Sequence, residues 1–284
     1  MDVETLKKRL KEIEMISDQQ WLDCLNERKR KELEFHDADR DTSRIESLDK
    51  DTYEKLYGNR KYYQATGLSS AYVDNWIREN ARNRVFLDYA CGNGGNAIKA
   101  EKWGATLAIG LDISRVSVEN AKREAKKQAV DKDTYFIQAD AENTMLPDSS
   151  VDAIVCSGVL HHLDLSYAFA ELRRILRPGG VILAVEALNY NPAVKLYRYL
   201  TPQMRTDWEK AHILSLQDIR FAKRFFKVGE IRYWHIVSIL APYMMFALPA
   251  LNWIDKFLTR IPIVRLMAWI FTFELIKLKP INEN

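Results

Sequence analysis

Acidic side chains end three consecutive apolar runs in the middle of the chain. Asp88 ends the run VFLD, Asp112 ends LAIGLD and Asp140 ends FIQAD. Two glycines, Gly92 and Gly94, follow the first of these acids before a helix-forming pattern begins. Parallel strands present their carboxyl ends at one edge of a sheet, and ligands bind there. The pattern therefore predicts a nucleotide-type site made of a glycine turn and carboxylates.

The elements that must position these acids alternate between short apolar strands and helices from residue 84 onward. Such alternation is typical of a parallel sheet covered on both faces. Strands are predicted over 84–90, 106–114, 134–140, 151–157 and 181–188, with two further candidates over 228–240 and 268–280. The expected fold class is α/β: a doubly wound, mostly parallel seven-stranded sheet with helices on both faces, an N-terminal helical cap and an apolar helical insert near the C-terminus.

Several cofactors are held by a glycine loop of this kind. A nucleoside triphosphate loop requires G-x-x-x-x-G-K-[ST], which the sequence lacks. A dinucleotide fingerprint is met by Gly92, Gly94 and Ala97, with Asp112 about 20 residues further on. Against a dinucleotide, residues 88–91 separate the strand from the first glycine, and no dehydrogenase catalytic pattern is recognisable. An NAD(P)-dependent reductase remains the alternative.

Four stretches of this region resemble the successive motifs of class I SAM-dependent methyltransferases. They are VFLDYACGNGG, AIGLDIS, IQADAENTMLPDSSVDAIVCSGVLHHL and ELRRILRPGGVILAVEA, within residues 84–188. The resemblance is to the small-molecule branch that includes the ubiquinone and menaquinone methyltransferases. One departure is Ala90, where the family pattern D-x-G-C-G-x-G has a glycine. The resemblance implies S-adenosyl-L-methionine (SAM) as the cofactor.

The resemblance also implies roles for individual residues. Asp88 is expected to hold the SAM ammonium group, often through water, while Gly92 and Gly94 lack a Cβ and let the backbone approach the methionine moiety. Asp112 is expected to accept both ribose hydroxyls, and Asp140 to bind the adenine amino group. The other expected cofactor contacts are Ala90, Ile113, Ala141, Ser157 and Tyr63.

The fourth predicted strand ends in CSGVLHHLDL, beside the expected position of the transferred methyl group. His161 and His162 are candidate catalytic bases because an imidazole titrates near neutral pH. Family members also use this pair for packing and hydrogen bonding. If one of the two histidines is the base, we favour His161. We expect methyl transfer to a small-molecule or lipid-like acceptor, at oxygen. A catalytically silent SAM-binding partner subunit is a further alternative.

Nucleic acid is not an expected partner. The motif [DNS]-P-P-[YFW] of the amino methyltransferases that act on nucleic-acid bases is absent at this position. A formal net charge of +3 over 284 residues also gives no indication of a nucleic-acid surface.

The motifs divide the chain into four segments. Residues 1–82 are expected to form an N-terminal helical arm and cap, and residues 83–240 the SAM-binding Rossmann-like core. Residues 241–267 are expected to form the apolar helical insert, and residues 268–284 the last strand and tail.

Within the cap, residues 35–51 are polar and rich in turn-forming residues. His36, Asp37 and Asp39 could ligate a metal, but nothing else in the sequence completes a site, so we expect a solvated connection and no metal. Tyr63 ends the tyrosine-rich stretch YGNRKYY. Either Tyr62 or Tyr63 closes on the cofactor or substrate, or these tyrosines pack beneath the cap.

Basic and apolar residues are concentrated at the C-terminal end. Residues 220–284 contain 10 Lys/Arg and 4 Asp/Glu, whereas residues 1–60 contain 13 and 16. Residues 241–267 are interrupted by three prolines and must return to the same sheet at both ends, which argues against a transmembrane span. They are expected to form a lid, a peripheral membrane contact, a homodimer contact or buried core.

Cysteine usage and the N-terminal sequence bear on the compartment. The three cysteines have no CxxC spacing, which indicates free thiols in a reducing compartment. The N-terminus is charged and helical, unlike a secretory signal. We expect a cytoplasmic protein, with or without peripheral attachment to a membrane.

Overall fold

A computed structural model describes residues 2–16 and 18–279 of the chain. Residues 280–284, with the end of the last predicted strand and the tail, lie outside the described residues, as do residues 1 and 17. The strands are β1 Val85–Tyr89, β2 Leu107–Asp112, β3 Thr134–Gln138, β4 Val151–Ser157, β5 Leu176–Ala187, β6 Lys227–Trp234 and β7 Ile270–Ile276. They form one seven-stranded sheet in the order β3-β2-β1-β4-β5-β7-β6.

The sheet is mostly parallel, as predicted. Strands β1 to β5 pair in parallel, and β7 is antiparallel to both β5 and β6. Strand β6 therefore runs in the same direction as β1. Strands β2 and β4 lie on opposite sides of β1. The loops that follow β1 and β4 therefore diverge, and they leave a crevice at the carboxyl ends of these strands.

Helices cover both faces of this sheet. The α-helices are α1 Val3–Glu14, α2 Asp18–Asp23, α3 Glu27–Arg40, α4 Thr42–Glu46, α5 Lys50–Tyr57, α6 Gly67–Ala81, α7 Gly95–Lys102, α8 Arg115–Lys127, α9 Leu165–Ile175, α10 Pro192–Leu200, α11 Asp207–Ala211, α12 Leu216–Ala222 and α13 Leu248–Leu258. Buried side chains of α6, α7 and α8 form the core on one face, and those of α1, α9 and α12 form the core on the other. Every residue of β1 and β2 is buried, which accounts for their uninterrupted apolar runs.

The prediction of a turn-rich connection over residues 35–51 is wrong, because this region is helical. Helix α3 continues to Arg40, and α4 and α5 follow it with short breaks. Asp41 and Asp49 begin the next two helices, since their carboxylates accept hydrogen bonds from the backbone N–H groups of Arg44 and Thr52. The aspartates that looked like turn residues are therefore helix N-caps.

The C-terminal insert is tied to the sheet by one buried carboxylate. Asp255 of α13 is 2% exposed and accepts hydrogen bonds from Val237 N (2.8 Å) and Ser238 N (3.1 Å), just after β6. The large apolar side chains of the insert nevertheless lie on the surface: Phe246 is 90% exposed and Trp253 is 72% exposed. No helix among the described residues is both long enough and apolar enough to cross a membrane.

Candidate active site

The glycine turn follows β1 directly. Ala90 has a φ of +58°, in the left-handed region where a Cβ costs about 1–2 kcal/mol. A glycine at this position would avoid that cost, which explains the family pattern from which Ala90 departs. Gly94 has a φ of +79°, and a Cβ there would lie 2.6 Å from the Phe136 ring and 2.8 Å from the Ala121 Cβ. Gly94 therefore permits tight packing of the turn, while Gly92 (φ +52°) faces the guanidinium of Arg40.

Asp88 lies at the base of this turn and is only 1% exposed. Its carboxyl group accepts hydrogen bonds from Asn96 Nδ2 (3.2 Å) and Ala97 N (3.3 Å) at the start of α7. Burial raises its pKa to about 7. Within the described chain it forms no ion pair with a lysine, arginine or histidine. A buried carboxyl group without a cationic partner fits the ammonium group of SAM.

Asp112 ends β2 and holds the two loops beside it. Its carboxylate is 7% exposed and accepts hydrogen bonds from Gly92 N and from Ser114 N, each at 2.8 Å. Each carboxylate oxygen has a second lone pair, so the group can also accept the ribose hydroxyls of SAM. Ile113, the next residue, is partly buried and packs against the N-terminal arm.

Asp140 and Ala141 follow β3. Asp140 accepts a hydrogen bond from Glu142 N (2.9 Å), and its other oxygen lies 2.5 Å from the ammonium group of Lys29 in α3. Lys29 also pairs with the Glu142 carboxylate at 2.9 Å. The carbonyl of Ala141 accepts a hydrogen bond from the hydroxyl of Tyr89. The carboxylate expected to bind adenine is thus paired with a cap lysine in this structure.

Helix α3 makes further contacts along the same edge of the sheet. The Asp37 carboxylate accepts a hydrogen bond from Ser114 Oγ (2.5 Å), and the Arg40 carbonyl accepts one from Asn120 Nδ2 (3.1 Å). Together with Lys29, these residues hold α3 over the end of the site where adenosine is expected. We therefore expect part of the cap to move when SAM binds or leaves.

A cavity of about 960 Å³ lies next to this covered end. Tyr63, Ser157 and His161 line it, whereas the other predicted site residues lie outside its lining. Tyr62 of the cap and Tyr243 of the insert meet above it, with their hydroxyls 2.8 Å apart. The cap and the insert therefore share one chamber beside the carboxyl end of β4, and its wall combines tyrosine and tryptophan side chains with polar and charged residues.

His161 is oriented by a carboxylate that the sequence analysis did not single out. Its Nδ1 lies 2.6 Å from Glu186 Oε2 on β5. Glu186 is 2% exposed, and its other oxygen accepts hydrogen bonds from the N–H groups of Val159 (2.9 Å) and Leu160 (2.7 Å). Burial lowers the pKa of His161, but the charge of Glu186 outweighs burial and raises it above the usual value. The one sequence signal for Glu186 is an acid within the apolar strand VILAVEAL.

His162 points away from the cavity, toward the cap. Its Nδ1 lies 2.9 Å from the carboxylate of Glu32 in α3. Burial and the neighbouring His161 lower the pKa of His162 to about 4. The structure therefore separates the two candidate bases, because His161 reaches the cavity and His162 does not.

The central part of this chain matches a known family. Residues 87–184 match the family described as "Methyltransferase domain". They form a class I SAM-dependent methyltransferase domain. For these residues, the prediction of that domain class, and with it of SAM as the cofactor, is confirmed.

Two curated relatives are similar to parts of the chain. The 27-O-demethylrifamycin SV methyltransferase of Amycolatopsis mediterranei (strain S699) is 38% identical over 95 residues, which are 33% of this chain and 35% of the relative. The sterol 24-C-methyltransferase erg6 of Aspergillus fumigatus is 30% identical over 128 residues, which are 45% of this chain and 34% of the relative. The chain thus spans about a third of the length of these relatives.

A solved structure shares the fold. A geranyl diphosphate methyltransferase in complex with GPP and sinefungin is 19% identical and has a TM-score of 0.56. The similarity covers 74% of this chain and 78% of that one. Because that coverage exceeds the matched domain, the Rossmann-like fold extends beyond residues 87–184.

If Asp88 holds the SAM ammonium group as predicted, its burial should make SAM binding pH-dependent. The ionised carboxylate attracts the SAM ammonium group and the protonated form does not, so affinity rises as the pH increases through about 7. We expect SAM to bind roughly fivefold more tightly at about pH 7.5 than at about pH 6, by calorimetry, because ionisation of Asp88 outweighs the partial loss of the ammonium proton near pH 7.5. Asp88→Asn should bind SAM more weakly and show no such rise. An equally steep rise in that variant would assign the titration to another group.

Proposed function

We propose that this chain transfers a methyl group from SAM to an oxygen of a small or lipid-like acceptor. The observation that carries the proposal is the 960 Å³ chamber, which the His161–Glu186 pair lines together with tyrosines and Trp269, next to the glycine turn. The similar relatives are named for methylating 27-O-demethylrifamycin SV and carbon 24 of a sterol. A chamber of this size and character suits a small or lipid-like acceptor.

The His161–Glu186 pair favours oxygen as the methylated atom. When bound, SAM supplies an electrophilic methyl group on its sulfonium. A hydroxyl acceptor must lose a proton during the transfer, and a positioned base accelerates that step. His161 Nδ1 is held by Glu186, so its Nε2 is the nitrogen available to take the proton. Residues of the cap and the insert line the chamber, so they would align a bound acceptor with the methyl group.

Two experiments test this function directly. Calorimetry with SAM and with NADH distinguishes methyl transfer from the reductase alternative, since we expect SAM alone to bind. SAM with a tritium-labelled methyl group is then incubated with the protein and a panel of sterols, polycyclic phenols and hydroquinones. We expect label in the organic extract. SAM binding without transfer to any acceptor or to protein partners would instead favour the silent partner subunit.

We also propose that the insert rests on a membrane surface. Phe246, Trp253 and Phe257 form an exposed apolar patch, which we call the insert patch, and their side chains are 90%, 72% and 62% exposed. Exposed Lys256 and Arg260 accompany it, and this combination suits an anionic bilayer. The same insert lines the chamber through Tyr243, so an apolar acceptor could pass directly from lipid to the site.

The membrane proposal predicts that Trp253→Ser with Phe257→Ser loses vesicle binding. Two large aromatic side chains together supply several kcal/mol of apolar transfer, so partitioning should fall at least about tenfold. The measurement is co-sedimentation with phosphatidylcholine and phosphatidylglycerol vesicles in about a 3:1 ratio. Met15→Ser is the matched control, because Met15 is 75% exposed and follows α1, which packs on β3 at the opposite edge of the sheet. Unchanged vesicle binding together with loss of a dimer would assign the insert patch to self-association.

A further inference from the structure

Helix α3 and the turn after β4 bring three metal-ligating side chains together. Glu32 and His36 are one helical turn apart on α3, and both face His162. Glu32 Oε2 lies 2.9 Å from His162 Nδ1 and 3.6 Å from His36 Nε2. The three ligand atoms lie within 4.8 Å of one another. These distances allow all three atoms to reach one ion after small side-chain movements.

The charged partners of Glu32 among the described residues are histidines, with no lysine or arginine. The residue is 4% exposed, and its Oε1 is buried without a hydrogen-bond partner among the described residues. Arg28, one turn earlier on α3, is engaged by Glu142 (2.5 Å) and by the carbonyl of His162 (2.9 Å). Within the described chain, Glu32 forms no ion pair with a lysine or an arginine. A bound cation would offset the desolvation of this buried carboxylate.

We propose that Glu32, His36 and His162 bind a divalent transition-metal ion. Two imidazole nitrogens and one carboxylate oxygen are a donor set that suits Zn²⁺ and leaves a fourth position open. This site replaces the solvated, metal-free connection expected around His36. Helical geometry places Glu32 beside His36, and the fold then supplies the third ligand from residue 162.

A second group of possible ligands shares His162 but is a weaker candidate. It consists of His161, His162 and Glu209. The Glu209 Oε1 already lies 2.8 Å from Arg198 Nη2 and 3.5 Å from Arg205 Nε. These guanidinium groups compensate the Glu209 carboxylate, so an ion there would have to displace them.

The metal has a structural consequence for the cap. It would join α3 to the turn after β4, and α3 also carries Lys29 and Asp37 to the strand ends at Asp140 and Ser114. Metal binding would therefore fasten the part of the cap that covers the adenosine end. This role is separate from methyl transfer and is detectable without an acceptor.

The test uses Co²⁺ as a spectroscopic probe and Zn²⁺ for calorimetry, on the full chain stripped of metal with a chelator. We expect one Co²⁺ to give the visible absorption of a low-coordinate nitrogen–oxygen site, and Zn²⁺ to displace it. Glu32→Gln and His36→Gln should each weaken Zn²⁺ binding at least about tenfold. His212→Gln is the matched control, because His212 is stacked on Trp208 and belongs to neither ligand group.

His36→Gln keeps the side-chain volume at a position that is 24% exposed, so circular dichroism should show a folded protein. The proposal would be overturned if the wild-type protein did not bind Zn²⁺. Unchanged Zn²⁺ affinity in both variants would contradict it too. Loss of binding in Glu209→Gln, with His36→Gln unaffected, would also overturn it by moving the ion to the second group of ligands.

Discussion

Replacing Asp112 with alanine should weaken SAM binding at least about 100-fold. The carboxylate accepts hydrogen bonds from Gly92 N and Ser114 N, so its removal frees the glycine turn and also removes the predicted acceptor for the ribose hydroxyls. Hydrogen bonds to a charged group contribute about 1.5–3 kcal/mol each, and about 1.4 kcal/mol corresponds to a factor of ten. Loss of the two hydrogen bonds to the ribose hydroxyls therefore corresponds to a decrease in SAM affinity of at least about 100-fold. Calorimetric titration with SAM measures the effect.

Asp112→Asn separates the two contributions of the carboxylate. Asparagine keeps one oxygen acceptor for a loop N–H group but loses the charge, so we expect an intermediate loss of about tenfold. Asp131→Ala is the control, because Asp131 is an exposed acid in the loop before β3 and should bind SAM like the wild type. SAM affinity that survives Asp112→Ala would place the ribose elsewhere. NADH binding that is lost in the same variant would support the reductase instead.

The strand ends could be predicted because their signal is local. Buried parallel strands give continuous apolar runs, and Asp88 and Asp112 each terminate one. Their positions at the sheet edge follow from strand direction alone. Strand β6 was less clear, since its exposed and buried residues are mixed, and it ends at Trp234 instead of continuing to residue 240.

The contacts of α3 could not be predicted because they join residues far apart in sequence. Lys29 and Asp140 are 111 residues apart, and Glu32 and His162 are 130 apart. Helix α3 also contributes little apolar surface to the core, because its buried residues are Glu32 and Leu33. A helix that lies on a polar site needs no apolar stripe, so hydrophobic periodicity gives no sign of it. The sequence therefore predicts a connection for residues 35–40, the polar C-terminal end of this helix.

Glu186 illustrates a different limit. A single acid in an apolar strand can be a strand-end residue, a buried partner or a site residue, and the sequence does not distinguish these. The structure resolves its role because the carboxylate contacts two backbone N–H groups and His161.

His161→Ala should lower kcat by about 10²–10⁴ while SAM affinity changes less than about threefold. That range is typical for loss of a positioned base, because the transition state loses its proton acceptor and the cofactor keeps its contacts. The measurements are initial rates with an acceptor found in the labelling experiment, and calorimetry with SAM. Unchanged turnover would remove His161 as the base, and an equal loss of SAM affinity would make its role structural.

Glu186→Gln tests whether the carboxylate acts through His161. A glutamine can still accept from the N–H groups of Val159 and Leu160, but its amide would donate to His161 Nδ1. The imidazole would then carry its proton on Nε2 and could not accept another there. We expect kcat to fall by about 10²–10⁴ with little change in KM, as for other bases held in the wrong tautomer. Glu230→Gln, an exposed acid on β6, is the control.

The double variant distinguishes a joint role from two separate ones. If Glu186 serves only to hold His161 in its basic tautomer, then adding Glu186→Gln to His161→Ala costs nothing further, because the base is already gone. If Glu186 instead only stabilises the turn after β4, the two losses multiply and the melting temperature falls with the second substitution. Rates and melting curves for the four proteins of this cycle decide between these outcomes.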